Sequence, residues 1–180
     1  MKRREDTTVE VSGTPMEYVA FGSGDTSLVI LPGLSDGITT VGGKSLLLSR
    51  YYKRLAKHFR VWLFSRRRNL PDHYTTQEMA EDQAAAMNAL GIRSSRIIGV
   101  SQGGMIAQHL AINHPELVKR LILVVTTPKA TDTLRQTVSG WMRLAEADDY
   151  RHLIFDTMEK TYTERHLRKV RLLFPIITRV

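Results

Sequence analysis

Two periods of apolar and polar residues alternate along the first two thirds of the chain. Short apolar runs, typical of β-strands, are separated by longer segments with helical spacing. The runs that predict strands are "TVEVSG", "MEYVAFGSG", "SLVILPGL", "RVWLFS", "SRIIGV" and "KRLILVVTT". The first two are separated by a turn and predict a hairpin at the edge of a sheet. Strand–helix alternation in the remainder predicts an α/β fold with a mostly parallel sheet flanked by helices.

Three helices are predicted between these strands. The first, "KSLLLSRYYKRLAKHF", has apolar residues that recur every four positions and predict one helical face: Leu47, Tyr51, Leu55 and Phe59. The second, "TTQEMAEDQAAAMNALG", begins with the capping box Thr75-x-x-Glu78 and ends at Gly91. The third is "QGGMIAQHLAINH".

The pattern changes after Thr127. Only helical spacing follows, in "DTLRQTVSGWMRLAEADD", "YRHLIFDTMEKT" and "TERHLRKVRLLFPIITRV". No later segment has the character of a buried strand. We therefore predict two domains, a core over residues 1–130 and a helical cap or lid segment over residues 131–180.

Composition and charge narrow the class of protein. The chain has 180 residues, 42% of them hydrophobic, and no apolar run approaches the ~20 residues that cross a bilayer. The first residues are basic but no apolar segment follows them, so they do not predict a signal peptide. There is no cysteine, which excludes disulfides and fits a cytoplasmic protein. We expect no membrane partner.

The net charge of +8 raises the hypothesis of nucleic-acid binding. The cations are dispersed, however, in clusters at the N-terminus, in a predicted turn and near the end of the chain. No aromatic residues alternate with them to form a stacking platform. We therefore expect no nucleic-acid partner.

One serine, Ser101 in "GVSQG", lies between a predicted strand and a predicted helix. Such a sharp turn strains the backbone of the central residue and requires small neighbours, here Gly99 and Gly103. It also exposes the serine hydroxyl and places the Gln102 N–H in the first turn of a helix, where it can stabilise an oxyanion. A second N–H donor is expected from Leu34, which directly follows the third strand and Gly33.

These residues carry a resemblance to the α/β-hydrolase superfamily. "LPGL" after one strand, "GVSQGG" after another and "HPELVKRLIL" further on resemble its members from about Glu17 to Thr127. The resemblance implies that Ser101 is the nucleophile and that the N–H groups of Leu34 and Gln102 form the oxyanion hole. Many members have His-Gly where this chain has Pro32-Gly33, but only the backbone after the glycine takes part in the chemistry.

A serine nucleophile needs a general base and an acid that orients it. The resemblance places both after later strands, beyond Val180, so we expect an incomplete core. Three histidines remain as alternative bases: His73, which lies on a loop at the correct sheet edge, and His152 and His166 on the cap helices. Asp132 follows the sixth strand and is either the acid or a helix cap. Asp36 is expected to order the loop that carries Leu34.

The sequence thus predicts a serine hydrolase that acts on a small carboxylic ester or similar acyl substrate. Two alternatives remain open. One is an acyltransferase or carbon–carbon bond hydrolase on the same fold, and the other is an inactive binding protein that keeps the pocket. No cofactor or metal is expected, because there is no phosphate-binding glycine loop and no metal-ligand spacing. Because the incomplete core would leave a sheet edge unpaired, we expect the chain to form a homo-oligomer or to precipitate.

Overall fold

The computed structural model describes residues 4–34 and 39–171, with the side chains of 169–171 excepted. The chain divides into two compact units, Met1–Pro128 and Lys129–Val180. None of the helices in the described ranges is both long and apolar enough to cross a bilayer.

The described residues of the first unit form a six-stranded sheet in the order β1-β2-β4-β3-β5-β6. β4, β3, β5 and β6 are mutually parallel, while β2 pairs antiparallel with both β1 and β4. This confirms the predicted α/β class. The strands are β1 (Glu5–Val11), β2 (Thr14–Phe21), β3 (Thr26–Leu31), β4 (Phe59–Arg67), β5 (Ser95–Val100) and β6 (Val118–Val124). The helices of this unit are α1 (Ser45–Tyr51), α2 (Lys53–Ala56), α3 (Thr76–Ala89) and α4 (Gln102–Asn113), with a 3-10 turn at Pro115–Leu117.

The predicted hairpin lies at the edge of the sheet. Ser12 and Gly13 connect its strands with φ angles of 51° and 73°, the left-handed conformation that two-residue hairpin turns require. Val11 pairs with Thr14 on either side of the turn. β2 then joins the hairpin to β4, so that the antiparallel strands extend one edge of the parallel sheet.

One face of the sheet is covered by α3 and α4. Val29, Leu31, Phe64 and Ile97 point toward this side and pack with the apolar residues of the two helices. The predicted capping box is confirmed, because the Thr75 side chain accepts from the Glu78 N–H and the Glu78 carboxylate accepts from the Thr75 N–H. β3 is buried on both faces, with Val29 and Leu31 packed on this side and Leu28 and Ile30 on the other.

The opposite face is covered by α1 and α2, and here one prediction is wrong. Leu48, Tyr52 and Leu55 pack against the sheet, whereas Leu47 and Tyr51 are 66% and 77% exposed. Of the other two predicted positions, Leu55 does pack against the sheet, and Phe59 is not helical because it begins β4. Apolar residues adjoin one another in "LLL" and "YY", so the same spacing fits a face through Leu47 and Tyr51 or a face through Leu48 and Tyr52. Packing against the sheet selects the face with Leu48 and Tyr52.

The second unit consists, over its described residues, of the helices α5 (Asp132–Glu146), α6 (Tyr150–Thr161) and α7 (Glu164–Arg171). Trp141 of α5 donates its indole N–H to Asp156 Oδ2 of α6 at 2.7 Å. The N-cap of α5 is Thr131, whose hydroxyl accepts from the Leu134 N–H at 3.2 Å. Asp132 is therefore the first helical residue, and its interpretation as the cap is wrong by one position.

β6 is the other edge strand of the sheet, and its apolar residues are poorly covered. Ile122, Leu123 and Val124 are 50%, 43% and 39% exposed. They belong to both faces of the strand, since successive side chains alternate. An edge with unpaired backbone groups and exposed apolar side chains is a template for association with another chain.

We predict that the protein self-associates through β6 and that Ile122→Lys weakens this association, because a charge on an edge strand opposes strand pairing. Sedimentation velocity over a range of concentrations measures it. Ile112→Lys is the matched control, since Ile112 is 75% exposed but lies on α4. A wild-type protein that stays monomeric at every concentration, or an equal effect of both variants, contradicts the prediction.

Candidate active site

Ser101 lies at the carboxyl end of β5 and immediately precedes α4. Its backbone has φ 53° and ψ −120°, a conformation that non-glycine residues rarely adopt and that costs about 1–3 kcal/mol. The residue is exposed. It is therefore held in a strained turn at the edge of the sheet where ligands bind in open α/β folds.

Close backbone contacts explain the glycines around Ser101. A Cβ atom at Gly103 would lie 2.1 Å from the carbonyl oxygen of Leu31, and one at Gly99 would lie 2.7 Å from the carbonyl oxygen of Gly103. Neither distance is possible for a real side chain, and in both cases the obstacle is backbone that cannot swing away. The first turn of α4 is thus pressed against β3, and any residue larger than glycine would force them apart.

Hydrogen bonds to both sides of the turn fix the peptide groups of Ser101. Its N–H donates to the carbonyl oxygen of Val124 at 2.9 Å, which joins the turn to the end of β6. Its carbonyl oxygen accepts from the Thr126 hydroxyl at 2.7 Å and from the Gly104 N–H at 2.9 Å. The strained conformation is therefore supported from both α4 and the segment after β6.

The segment after β3 lies beside Ser101. A Cβ atom at Gly33 would lie 3.3 Å from Ser101 Cβ and 3.7 Å from Ser101 Oγ, so that the two backbones approach closely. Leu34 follows directly, and its side chain is 55% exposed. The structure thus brings together the loop of Leu34 and the turn of Ser101 and Gln102. Asp36 lies outside the described residues.

Sequence reasoning missed a cation at this edge. Arg66, near the end of β4, donates from Nη2 to the side-chain oxygen of Gln102 at 2.9 Å. The positive end of the α4 dipole and the Arg66 guanidinium are therefore both beside Ser101, and together they favour negative charge there. The only signal in the sequence was the cluster of arginines directly after a predicted strand.

A buried carboxylate holds the end of β4 in place. Asp82 of α3 is 6% exposed and accepts from Arg67 Nε at 2.7 Å, from the Ser12 hydroxyl at 3.3 Å and from the Tyr74 hydroxyl. Burial, and then the hydrogen bond to Asp82, raise the pKa of Tyr74 well above its ordinary value. Arg67 directly follows Arg66, so this network also fixes the backbone that carries the cation of the site.

The histidines of the first unit have other environments. His58 precedes β4 and so lies at the opposite end of the strands, while His73 lies in an exposed loop. His109 is half-buried along α4. His114 caps the end of α4, and its Nε2 is 2.8 Å from a carboxylate oxygen of Glu81. None of these four forms a hydrogen bond with Ser101 in the described part of the unit.

The histidines of the second unit are both exposed. His152 Nδ1 lies 2.6 Å from Oδ2 of Asp149, the N-cap residue of α6. The hydrogen bonds from the His152 N–H and side chain hold the pKa of Asp149 below its usual range. The His166 ring stacks on Tyr162 with 4.6 Å between the ring centres. Throughout the described residues, no group of three His, Asp or Glu side chains could hold a metal ion.

Curated relatives share parts of this chain. A "Putative carbamate hydrolase RutD" of Serratia proteamaculans is 30% identical over 118 residues, which are 62% of this chain and 43% of the relative. A "Putative non-heme bromoperoxidase BpoC" of Mycobacterium tuberculosis is 40% identical over 77 residues, which are 43% of this chain and 28% of the relative. The chain thus spans less than half the length of these two relatives.

Solved structures of similar fold cover more of the chain. A structure described as Est816, an N-acyl homoserine lactone degrading enzyme, superposes with a TM-score of 0.67 at 21% identity and covers 94% of this chain and 62% of its own. An α/β-hydrolase fold protein of Chitinophaga pinensis has a TM-score of 0.62 at 23% identity, with 78% and 52% covered. At these identities the likeness shows the fold alone. The family model for the α/β-hydrolase fold matches residues 26–172, and the chain therefore belongs to the α/β-hydrolase fold family.

Proposed function

We propose that the protein is a serine hydrolase that acts on a carboxylic ester or a similar acyl substrate. Ser101 Oγ attacks the carbonyl carbon, the alcohol leaves, and water then releases the acid from the acyl-enzyme. The observation that carries the proposal is the strained, exposed conformation of Ser101 at the start of α4. A serine that merely filled a turn would not need φ and ψ angles that glycine adopts without strain.

The N–H groups of Gln102 and Leu34 are the proposed oxyanion hole. Gln102 is the first residue of α4, so its N–H is free of intrahelical partners and lies at the positive end of the helix dipole. The approach of Gly33 to Ser101 supports a donor from the adjoining Leu34. Arg66 adds positive potential beside Gln102 and would favour the tetrahedral intermediate over the neutral ester.

One curated relative supports the class of reaction, since it is named as a carbamate hydrolase and a carbamate is hydrolysed at its carbonyl group. Extended to this chain, that name favours a small acyl substrate. We also propose a cytoplasmic location, in keeping with the lack of cysteine.

A second candidate is a binding protein that retains the fold without the chemistry. It is favoured by the environments of His58, His73, His109 and His114, none of which hydrogen-bonds to Ser101 within the described residues of the first unit. In that case, Ser101→Ala would leave ligand affinity unchanged, because no bond to the hydroxyl would form.

Acylation by p-nitrophenyl butyrate tests the proposed function. We expect a burst of p-nitrophenolate of about one equivalent per chain, which requires that a base within this chain activates Ser101, so that acylation precedes slower release of the acid. Ser101→Ala should abolish the burst. The matched control is Ser94→Ala, which removes the hydroxyl of an exposed serine at the opposite end of β5. A burst that persists in Ser101→Ala assigns the chemistry to another residue, and no burst in folded wild type favours the binding protein.

The strain at Ser101 gives a separate prediction about stability. Ser101→Gly should raise the free energy of unfolding by about 1 kcal/mol, because relief of about 1–3 kcal/mol of strain exceeds the extra chain entropy of about 0.5–1 kcal/mol that glycine loses on folding, while Ser101→Ala should bring no such gain. For a urea m-value of about 2 kcal/mol/M, the midpoint would rise by about 0.5 M. Urea denaturation followed by circular dichroism measures it. An unchanged or lower midpoint for Ser101→Gly would show that the turn is not strained.

A further inference from the structure

The helical segment α1–α2 carries apolar side chains on two opposite sides. Its inner side, with Leu48, Tyr52 and Leu55, packs against the sheet. On the outside, Leu46, Leu47 and Tyr51 are 48%, 66% and 77% exposed. The outer face defined here consists of these three residues and the exposed cations between and after them, namely Leu46, Leu47, Arg50, Tyr51, Lys53, Arg54 and Lys57.

The charge of the outer face has one sign. Its four cations form no ion pair with any residue that the structure describes, and the sequence contains no aspartate or glutamate from residue 37 to residue 71. The carboxylate of Asp6 reaches the start of α1, but it accepts from the N–H groups of Gly43 at 2.8 Å and Ser45 at 3.1 Å. Burial of Asp6 acts to raise its pKa, yet these hydrogen bonds outweigh it and hold the pKa below the usual value.

The outer face is held in place by the inner one. The ring of Tyr51 packs edge-on against the ring of Tyr52, with 4.8 Å between their centres. Burial raises the pKa of Tyr52, in keeping with a ring fixed against the sheet. Because Leu48 and Leu55 are fixed in the same way, the segment presents its exposed leucines and arginines on a rigid helix rather than on a loose loop.

We propose that this outer face binds the surface of a bilayer that contains anionic lipids. Lys and Arg side chains beside a bilayer are attracted to acidic headgroups, while leucine and tyrosine side chains gain by entering the boundary between headgroups and acyl chains. A nucleic acid would neutralise the same cations but would offer the leucines no apolar environment. The expectation of no membrane partner was based on the lack of a segment that spans a bilayer. That lack argues against insertion across the bilayer, but it does not argue against binding at its surface.

The test is co-sedimentation of the 180-residue protein with vesicles of phosphatidylcholine alone or with phosphatidylserine added. We expect binding only to vesicles with phosphatidylserine. Arg50→Gln together with Arg54→Gln should weaken it by about 30-fold, the loss expected for two surface cations. Leu47→Ser together with Tyr51→Ser should weaken it by about 10-fold or more through the lost apolar contacts.

Two controls separate this from general effects of charge and folding. Arg93→Gln with Arg135→Gln removes two exposed cations elsewhere and should leave binding within about twofold of wild type, because these cations lie outside the outer face. Arg50→Lys with Arg54→Lys keeps the charge and should retain binding. Circular dichroism establishes that each variant is folded.

Two vesicle results would overturn the proposal: equal binding to neutral vesicles, and a preference for duplex DNA over the vesicles at the same salt concentration. Two variant results would also overturn it: an equal loss of binding in the Arg93 and Arg135 control, and unchanged binding of the Leu47 and Tyr51 variant. Self-association that the outer-face variants abolish while vesicle binding persists would instead make the face a contact between two copies of the chain, and would overturn it too.

Discussion

The contact between the backbones of β3 and α4 is the constraint on which the rest of the site depends. Since a Cβ atom at Gly103 would lie 2.1 Å from the carbonyl oxygen of Leu31, α4 can begin where it does only with glycine at this position. This closeness leaves one residue, Ser101, to make the whole turn from strand to helix, and it accounts for the strained angles of that residue. It also brings Gly33, and with it the segment of Leu34, beside the serine.

The positive charge of the chain has local roles that its dispersed distribution in the sequence does not suggest. At the carboxyl edge of the sheet, Arg66 bonds to Gln102 at the start of α4, where it adds to the helix dipole. On the far side of the sheet from α4, the cations of α1–α2 lie among exposed leucines. In the two proposals made here, the first group stabilises charge that develops in a reaction, and the second attracts a surface that already carries charge.

Local patterns predicted those features that local forces determine. The turn after Val11, the capping box at Thr75 and the glycines on both sides of Ser101 involve neighbours in sequence, and all are present in the structure. Arg66 and Gln102 are separated by 36 residues, and no local signal joins them. The orientation of α1 also could not be read from sequence, because adjacent apolar residues in "LLL" and "YY" satisfy a helical period in two registers.

The central claim, that Ser101 is a nucleophile placed by this turn, is tested most directly by the mass of the intact protein after exposure to an alkyl fluorophosphonate. Such a reagent bonds to a serine oxygen that is activated and lies beside an oxyanion hole. The account predicts one adduct on the wild-type chain and none on Ser101→Ala, a result that requires a base within this chain to activate Ser101. An adduct that survives in Ser101→Ala, or no adduct on wild-type protein that unfolds cooperatively, would contradict it.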